Sequence, residues 1–347
     1  MSTKIDRVSL EVGGKRIEHF SKYRIESDMF TADDAFSFSF DNPGAPIGPG
    51  MRCRVRVNGV LELNGIIDRV GDGYKKSGTP LSVSGRDFMG LLVDSHVGQG
   101  KTDKDIELKA LARDLLKDVP FINRKAIVYG RGNKLFVQVQ ENPFQIEKAQ
   151  REPGTSIFET LRQQAVERGV YFWCRPDGTL VFSRPVRSGK ALFSIVNTMD
   201  GRGNNVVESD RVQDISQRYS QVTVLGQAQG EDFMAPEEIN RQGMAKDSSF
   251  PFHKPYYTSM SQDMADPVQY AALVLNQQRF AGFQLSYTLA GHSQGGRNWQ
   301  ANVLCRVRDA FYGYDQNFLV YSRIFSMEEG RGRTTTVKLS KPGVLPS

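Results

Sequence analysis

The chain states one structural theme twice. Cys53-Arg54-Val55-Arg56 opens a run of strand-like segments near the start, and Cys305-Arg306-Val307-Arg308 opens a similar run near the end. Behind the first copy stand Leu61-Glu62-Leu63-Asn64-Gly65-Ile66-Ile67-Asp68-Arg69-Val70, a glycine-rich turn at Gly71 to Gly73, and Leu81-Ser82-Val83-Ser84. Behind the second stand Phe318-Leu319-Val320-Tyr321-Ser322-Arg323-Ile324-Phe325, the turn Gly330-Arg331-Gly332, and Thr334-Thr335-Thr336-Val337-Lys338-Leu339. A duplication of this kind restricts the fold to architectures with two related β units. A small ring of such chains presents twice as many similar surfaces as it has subunits. That serves the matching of symmetries, an assembly problem, and points away from catalysis.

From Arg7 to Asp87 the pattern has period two. Ala35-Phe36-Ser37-Phe38-Ser39-Phe40 places three rings on one sheet face and the serines on the other. The proline- and glycine-rich stretch from Asn42 to Gly50 cannot continue a ladder. Short strands at this spacing predict a barrel or sandwich. Between Val97 and Gly201 the period changes. Ile106, Leu108, Leu111, Ala112, Leu115 and Leu116 follow helical spacing up to Val119-Pro120. Ser156 and Glu159 form a capping box for a second helix carrying Ile157, Leu161 and Ala165, with Gly169 at its end. Val170 to Cys174 then pairs with Thr179 to Phe182 across Pro176-Asp177-Gly178, which makes a small α/β domain with a hairpin.

Strands resume at Tyr219 to Leu225, and an insertion follows through Phe250-Pro251-Phe252-His253-Lys254-Pro255-Tyr256-Tyr257. A helix begins with Asp266 as N-cap and Pro267 at its first position, carries Tyr270, Val274 and Phe280, and stops at Gly282. The expected fold is β-rich α+β: a first β-barrel over 1–96, a small α/β domain over 97–200, and a second, related barrel over 201–347 with an insertion at about 230–282. The insertion either folds over its own barrel or docks on a neighbour, and Phe250, Phe252, Tyr256, Tyr257 and Trp299 are the candidate partner-interface residues.

Composition sets limits on function. A chain of 347 residues with 39% hydrophobic content fills ordinary cores, and its N-terminus lacks the apolar run of a signal peptide. No apolar stretch is long enough to span a bilayer, so synthesis and folding in the cytoplasm without stable membrane insertion are expected. Cys53, Cys174 and Cys305 are widely separated in apolar strand patterns and read as buried thiols. The charge of +6 comes from 45 basic and 39 acidic residues interleaved along the chain, whereas a nucleic-acid binder concentrates its basic residues on one element. Only Arg323 with Arg331 and Arg333, and Lys75 with Lys76, resemble clusters, and both read as solvated charge at turns.

The motifs for chemistry are weak. Gly291-His292-Ser293-Gln294-Gly295 fits a nucleophile elbow, but no helical pattern follows it and none of His19, His96, His253 and His292 comes after Ser293 to serve as base. A glycine-rich hairpin turn explains the same residues. Gly100-Lys101-Thr102 lacks the first glycine of a P-loop, Ser95 standing in its place, and reads as a linker with Thr102 near a helix start. No His or Cys pair has metal-ligand spacing, and no cofactor is expected. A serine hydrolase using Ser293 and a nucleic-acid-binding module are the alternatives. Ester turnover abolished by Ser293→Ala marks the first, and binding that falls steeply with salt marks the second.

Leu81-Ser82-Val83-Ser84-Gly85-Arg86-Asp87-Phe88-Met89-Gly90-Leu91-Leu92-Val93-Asp94-Ser95 resembles the strand-Gly-Arg-Asp-helix-Asp-Ser passage of the Mu-like phage tail hub proteins, also called baseplate hub or late-control D-like proteins. Phe158 to Leu161, Glu167 to Val170 and Asp177 to Phe182 are similar to that family's middle domain, and Gly291-His292 with Gly296, Trp299 and Asn302 leading into Val303 to Val307 is similar to its second barrel. The resemblance covers nearly the whole chain except the segment from Phe250 to Tyr257. It implies a non-enzymatic homotrimer in the baseplate of a contractile phage or prophage tail. Two tube-like barrels per subunit would give six similar domains around a channel. Three chains could then match a sixfold tail tube protein on one side and a threefold central spike protein on the other, with transient passage of DNA.

Overall fold

The computed structural model describes residues 6–344 except 42, 43, 45, 77, 131–144, 168, 169, 228–239, 261–266 and 331. Gly169 and Asp266, read as helix-terminal residues, and Arg331, placed in a basic cluster, lie outside the described residues.

The first part holds strands β1 (Val8–Val12), β2 (Lys15–Ile17), β3 (Lys22–Asp28), β4 (Ala35–Asp41), β5 (Arg52–Val57), β6 (Val60–Asp72) and β7 (Pro80–Asp87), followed by helix α1 (Gly90–Asp94). The alternation in β4 buries Phe36, Phe38 and Phe40, worth about 1.5–3 kcal/mol per ring. The Gly-Arg-Asp passage explains itself physically. A Cβ on Gly85 would overlap the Ile66 carbonyl, and one on Gly65 the Arg86 carbonyl, so β6 and β7 approach closely only through glycine. Arg86 then clasps Asp68 of β6, Asp94 of α1 and Asp33 of the β3–β4 turn. Buried Asp87 accepts the backbone N–H groups of Asp34 and Met89.

The middle part is built from β8 (Lys101–Glu107), α2 (Leu108–Leu115), β9 (Ile127–Tyr129), β10 (Gln145–Arg151), α3 (Ile157–Glu167), β11 (Tyr171–Cys174) and β12 (Leu180–Ser183). The expected hairpin is β11–β12, with Gly178 at φ 85° in its turn. Ser156 Oγ accepts the Glu159 N–H, but the Glu159 carboxylate turns to Arg162, so only one side of the capping box forms. Thr102 is not near a helix start. Pairing with Gln150 draws it into β8, which delays α2 until Leu108. Leu92 of α1, Leu111 of α2 and Leu161 of α3 share one core with Phe182.

The last part holds β13 (Phe193–Asn197), β14 (Val206–Gln213), β15 (Gln221–Gln227), β16 (Asn240–Lys246), β17 (Pro255–Met260), α4 (Pro267–Ala281), β18 (Phe283–Ala290), β19 (Ser293–Gln294), β20 (Arg297–Asn298), β21 (Val303–Asp309), β22 (Tyr314–Glu328) and β23 (Gly332–Ser340). Tyr219 to Leu225 does not resume the main sheet. It enters β15, which among the described residues pairs only with β16 and β17 and belongs to the insertion.

The duplication read from the sequence is present in the strand order. The first half runs β3-β4-β7-β6-β5-β1, and the second runs β14-β18-β23-β22-β21-β13. Cys53 pairs with Gly65 and Cys305 with Phe318, and three residues beyond each partner the middle strand bulges, at Asp68 in β6 and at Tyr321 in β22. A shared bulge position ties the halves together more tightly than strand order alone, because bulges are fixed local features. One strand differs: β1 lies antiparallel to β5, whereas β13 lies parallel to β21. The insertion occupies the link between β14 and β18, where the first half has only the β3–β4 turn.

The halves are fused. The first stretch of β22 pairs with β21 and the second with β3, so a single 13-stranded sheet runs through both. Among the described residues no strand pairing closes either half into a barrel. Ile25 and Phe38 of the first half and Tyr287 and Phe325 of the second belong to one buried cluster. Phe30 joins the remaining pieces, its ring meeting Tyr171 of the middle part, Tyr321 of β22 and Phe280 of α4 at 5.1–5.4 Å between centroids.

Candidate assembly interface

Two features claim attention: the polar seam between the halves, and the surfaces the sheet leaves uncovered. The seam is where the Gly291-His292-Ser293 motif falls. Asp6 accepts the His292 N–H at 2.7 Å and the Ser293 hydroxyl at 3.3 Å. Asn58 donates to Asp6 and to Asn298, Asn298 donates to Glu62, and Glu62 accepts from Arg323 at 2.7 Å. Every bond in this chain after Asp6–Asn58 crosses from one half to the other. The His292 ring faces Tyr23 and Thr335 rather than Ser293, and burial holds its pKa down near 4. Ser293 itself sits in the β19–β20 hairpin, whose Gly295 and Gly296 have positive φ, and not on a strand-to-helix elbow. The geometry a hydrolase would need is absent from this motif.

Arg323 is not solvated charge at a turn. It is buried in mid-β22, stacked 3.9 Å over Phe325 as well as paired with Glu62. Beside it opens a cavity of about 480 Å³ bounded by both halves and the β11–β12 turn. Asp34 and Asp87 line it. Burial pushes Asp34 up to about 6, and burial with the neighbouring Asp34 charge pushes Asp87 well above the usual carboxylate range. Among the described residues, no cluster of His, Cys, Asp or Glu could hold a metal ion.

The five candidate aromatics separate by environment. Trp299 is 1% exposed and stacks on Phe193 with centroids 4.3 Å apart, so it fills the core instead of an interface. Phe250 is buried under the Arg218 guanidinium and against Phe252. Tyr256 is half-buried, packing on Tyr219 and the insertion core. Phe252 and Tyr257 remain exposed, Tyr257 by 63%.

The insertion sheet accounts for this division. Its order is β16-β15-β17, and Val222 and Val224 of β15 point at Ala271 and Leu275 of α4. Alternation sends Thr223 and Leu225 to the opposite face. There Thr223 stands in register between Met244 and Tyr257, and Leu225, Met244 and Tyr257 are all exposed. Leu225 and Met244 were missed as candidates. The alternation of Val222-Thr223-Val224-Leu225 carried the signal, but it needed the helix on one face to show which residues stay outside.

The edges of the main sheet differ in how they are protected. At one end β2 is three residues long and carries Lys15 and Arg16, a blunted edge. The outer edge of β13 is capped by side-chain amides: Gln294 and Asn205 together bond the N–H groups of Ser194 and Val196 and the Ser194 carbonyl. At the other end β14 has eight residues, pairs among the described residues only with β18, and leaves Val207 62% and Val212 45% exposed.

Comparison with known proteins agrees with this architecture. Residues 7–87 match the family model described as Mu phage baseplate assembly protein GpP-like, N-terminal, and residues 218–266 match that of tail protein NMB1110-like, third domain. The tail protein from Neisseria meningitidis MC58 is 29% identical with a TM-score of 0.84, the match covering 98% of each chain. The chain is similar to phage tail proteins along its whole length. The 43 kDa tail protein of prophage MuSo2 from Shewanella oneidensis matches at 21% identity and TM-score 0.78 over 97% of this chain and 98% of that one. The fold extends to the Escherichia coli c3393 protein, described as a component of the type VI secretion system with structural similarity to T4 tail proteins gp27 and gp5, at 11% identity and TM-score 0.62 over 97% of this chain and 79% of that one. No curated protein matches the sequence significantly. The family models and the two tail proteins agree with the Mu-like resemblance read from the motifs, and the insertion, which the motifs left unaligned, falls on a tail-protein domain of its own. No helix among the described residues is long and apolar enough to cross a membrane.

Proposed function

We propose that this protein is the structural hub of a contractile phage or prophage tail, assembling as a homotrimer between a sixfold tail tube and a threefold central spike. The observation that carries the reading is the internal duplication, with matching strand order and matching bulges at Asp68 and Tyr321. Three chains so built place six similar β units around an axis, each a tube-like barrel in the assembled ring. One face of that ring meets sixfold partners while the subunits themselves keep threefold symmetry. The fused sheet and the buried seam suit a rigid adaptor, since the two units of one chain are held in fixed relation. DNA passes through the central opening without sequence readout. The exposed face of the insertion sheet, with Leu225, Met244 and Tyr257, and the exposed Phe252 contact a partner in the baseplate. Assembly takes place in the bacterial cytoplasm, and the finished location is the virion tail. Light scattering on the purified chain at micromolar concentration tests the proposal. Three times the mass of one chain is expected, and a monomer overturns it.

A further inference from the structure

Within one chain the two halves meet by a defined edge contact: β3 of the first half pairs antiparallel with the second stretch of β22, from Ser322 opposite Asp28 to Glu328 opposite Lys22. The ladder equivalences identify the matching elements. β14 stands where β3 stands, and β6 stands where β22 stands. Among the described residues both matching edges lack a strand partner: β14 ends the sheet, and β5 pairs with β6 only as far as Ile66, so no strand pairs with the stretch after Asp68 on that side.

We propose that β14 of one copy pairs antiparallel with the Arg69–Lys75 stretch of a second copy, repeating between chains the contact that β3 makes with β22 inside each chain. This rests on the trimeric reading and assigns its contact. Carrying the intrachain register across sets Arg69 opposite Asp214, Asp72 opposite Arg211 and Lys75 opposite Glu208. All three pairs are of opposite sign, the arrangement that favours directly facing residues on neighbouring strands. The last occupies the position of the intrachain Lys22–Glu328 ion pair at 3.1 Å, with the signs exchanged between strands. Among the described residues Arg69, Asp72, Lys75 and Glu208 have no ion-pair partner within the chain. Tyr74, 92% exposed, falls opposite Ser209, and Gly71 falls opposite the exposed Val212. The contact joins different surfaces of the two copies, so it is head-to-tail, and such contacts close into rings when the rotation permits. β-Augmentation of this kind supplies main-chain hydrogen bonds, and the charge pairs set the register.

The test mixes two full-length variants with different tags, Lys75→Cys and Glu208→Cys, under mild oxidation, alongside light scattering of each. A disulfide-linked dimer carrying both tags, formed in the mixture and absent from either variant alone, is the expected result. Trimers that give no mixed disulfide overturn the edge pairing and leave the trimeric hub standing. Monomers overturn both. A charge swap provides the second arm. Asp72→Arg and Arg211→Asp are each expected to raise the concentration for half-dissociation at least tenfold, and the double variant to recover most of that loss. A double variant as weak as the singles contradicts the register.

Discussion

The pair between Glu62 of β6 and Arg323 of β22 offers the sharpest test of the claim that the two halves are one rigid body. Their side chains are 9% and 4% exposed, and among the described residues Arg323 Nε and Nη1 have no hydrogen-bond partner, the Glu62 contact being made through Nη2. Glu62→Ala removes the carboxylate that, among the described residues, alone forms an ion pair with the Arg323 guanidinium, and also strips an acceptor from Asn298. Breaking a buried pair in this way costs about 3–5 kcal/mol, because the surviving charge stays desolvated. For a chain of this size each kcal/mol lowers the melting temperature by about 2 °C, so Glu62→Ala should melt about 6–10 °C below the wild type. The double variant Glu62→Leu with Arg323→Met removes both charges and should regain most of the loss, since an apolar replacement of a buried pair is often neutral. Scanning calorimetry of the three proteins at one concentration and pH decides the matter. A drop smaller than about 2 °C for Glu62→Ala, or a double variant as unstable as the single, refutes the reasoning.

Two further outcomes follow from the first half. In the unfolded chain Asp34 ionises near about 3.9, whereas burial lifts it to about 6 in the fold. The folded state therefore binds the proton more tightly, and the stability this contributes is fully present below the unfolded pKa and lost as pH rises through the folded one. Asparagine does not ionise, so the advantage of Asp34→Asn over the wild type should grow by about 2–3 kcal/mol between about pH 4 and about pH 7, measured by urea unfolding, and a gap independent of pH contradicts this. Gly85→Val puts a side chain onto the Ile66 carbonyl and the Phe36 ring. It should cost about 3 kcal/mol or leave the protein insoluble, and near-wild-type urea stability would contradict the close approach of β6 and β7.

Local pattern carried the parts of this molecule that depend on neighbours in sequence. The alternating rings of β4, the β11–β12 hairpin and the order of the two meanders were all legible, because period and turn chemistry are local. The cysteine repeat was legible for the same reason: Cys53 and Cys305 each stand near the start of a strand whose inward positions are buried. What the sequence did not disclose comes from distant pairing. The β22–β3 ladder joins residues about three hundred positions apart, and the parallel β13–β21 pair has no turn to announce it. Arg323 looked like surface charge because its partner Glu62 lies 261 residues away. Trp299 stood among the candidate interface aromatics, yet it is buried and stacks on Phe193. The insertion was hard to delimit because β15 has the apolar alternation of a main-sheet strand, and only its pairing with β16 and β17 assigns it elsewhere.

Averaged electron-microscope images of the purified protein viewed down its axis address the central claim most directly. A ring of six similar lobes around an open centre, repeating exactly as three pairs, is the predicted result. Isolated particles without an axis, or a ring whose lobe number is not twice its number of chains, would contradict it.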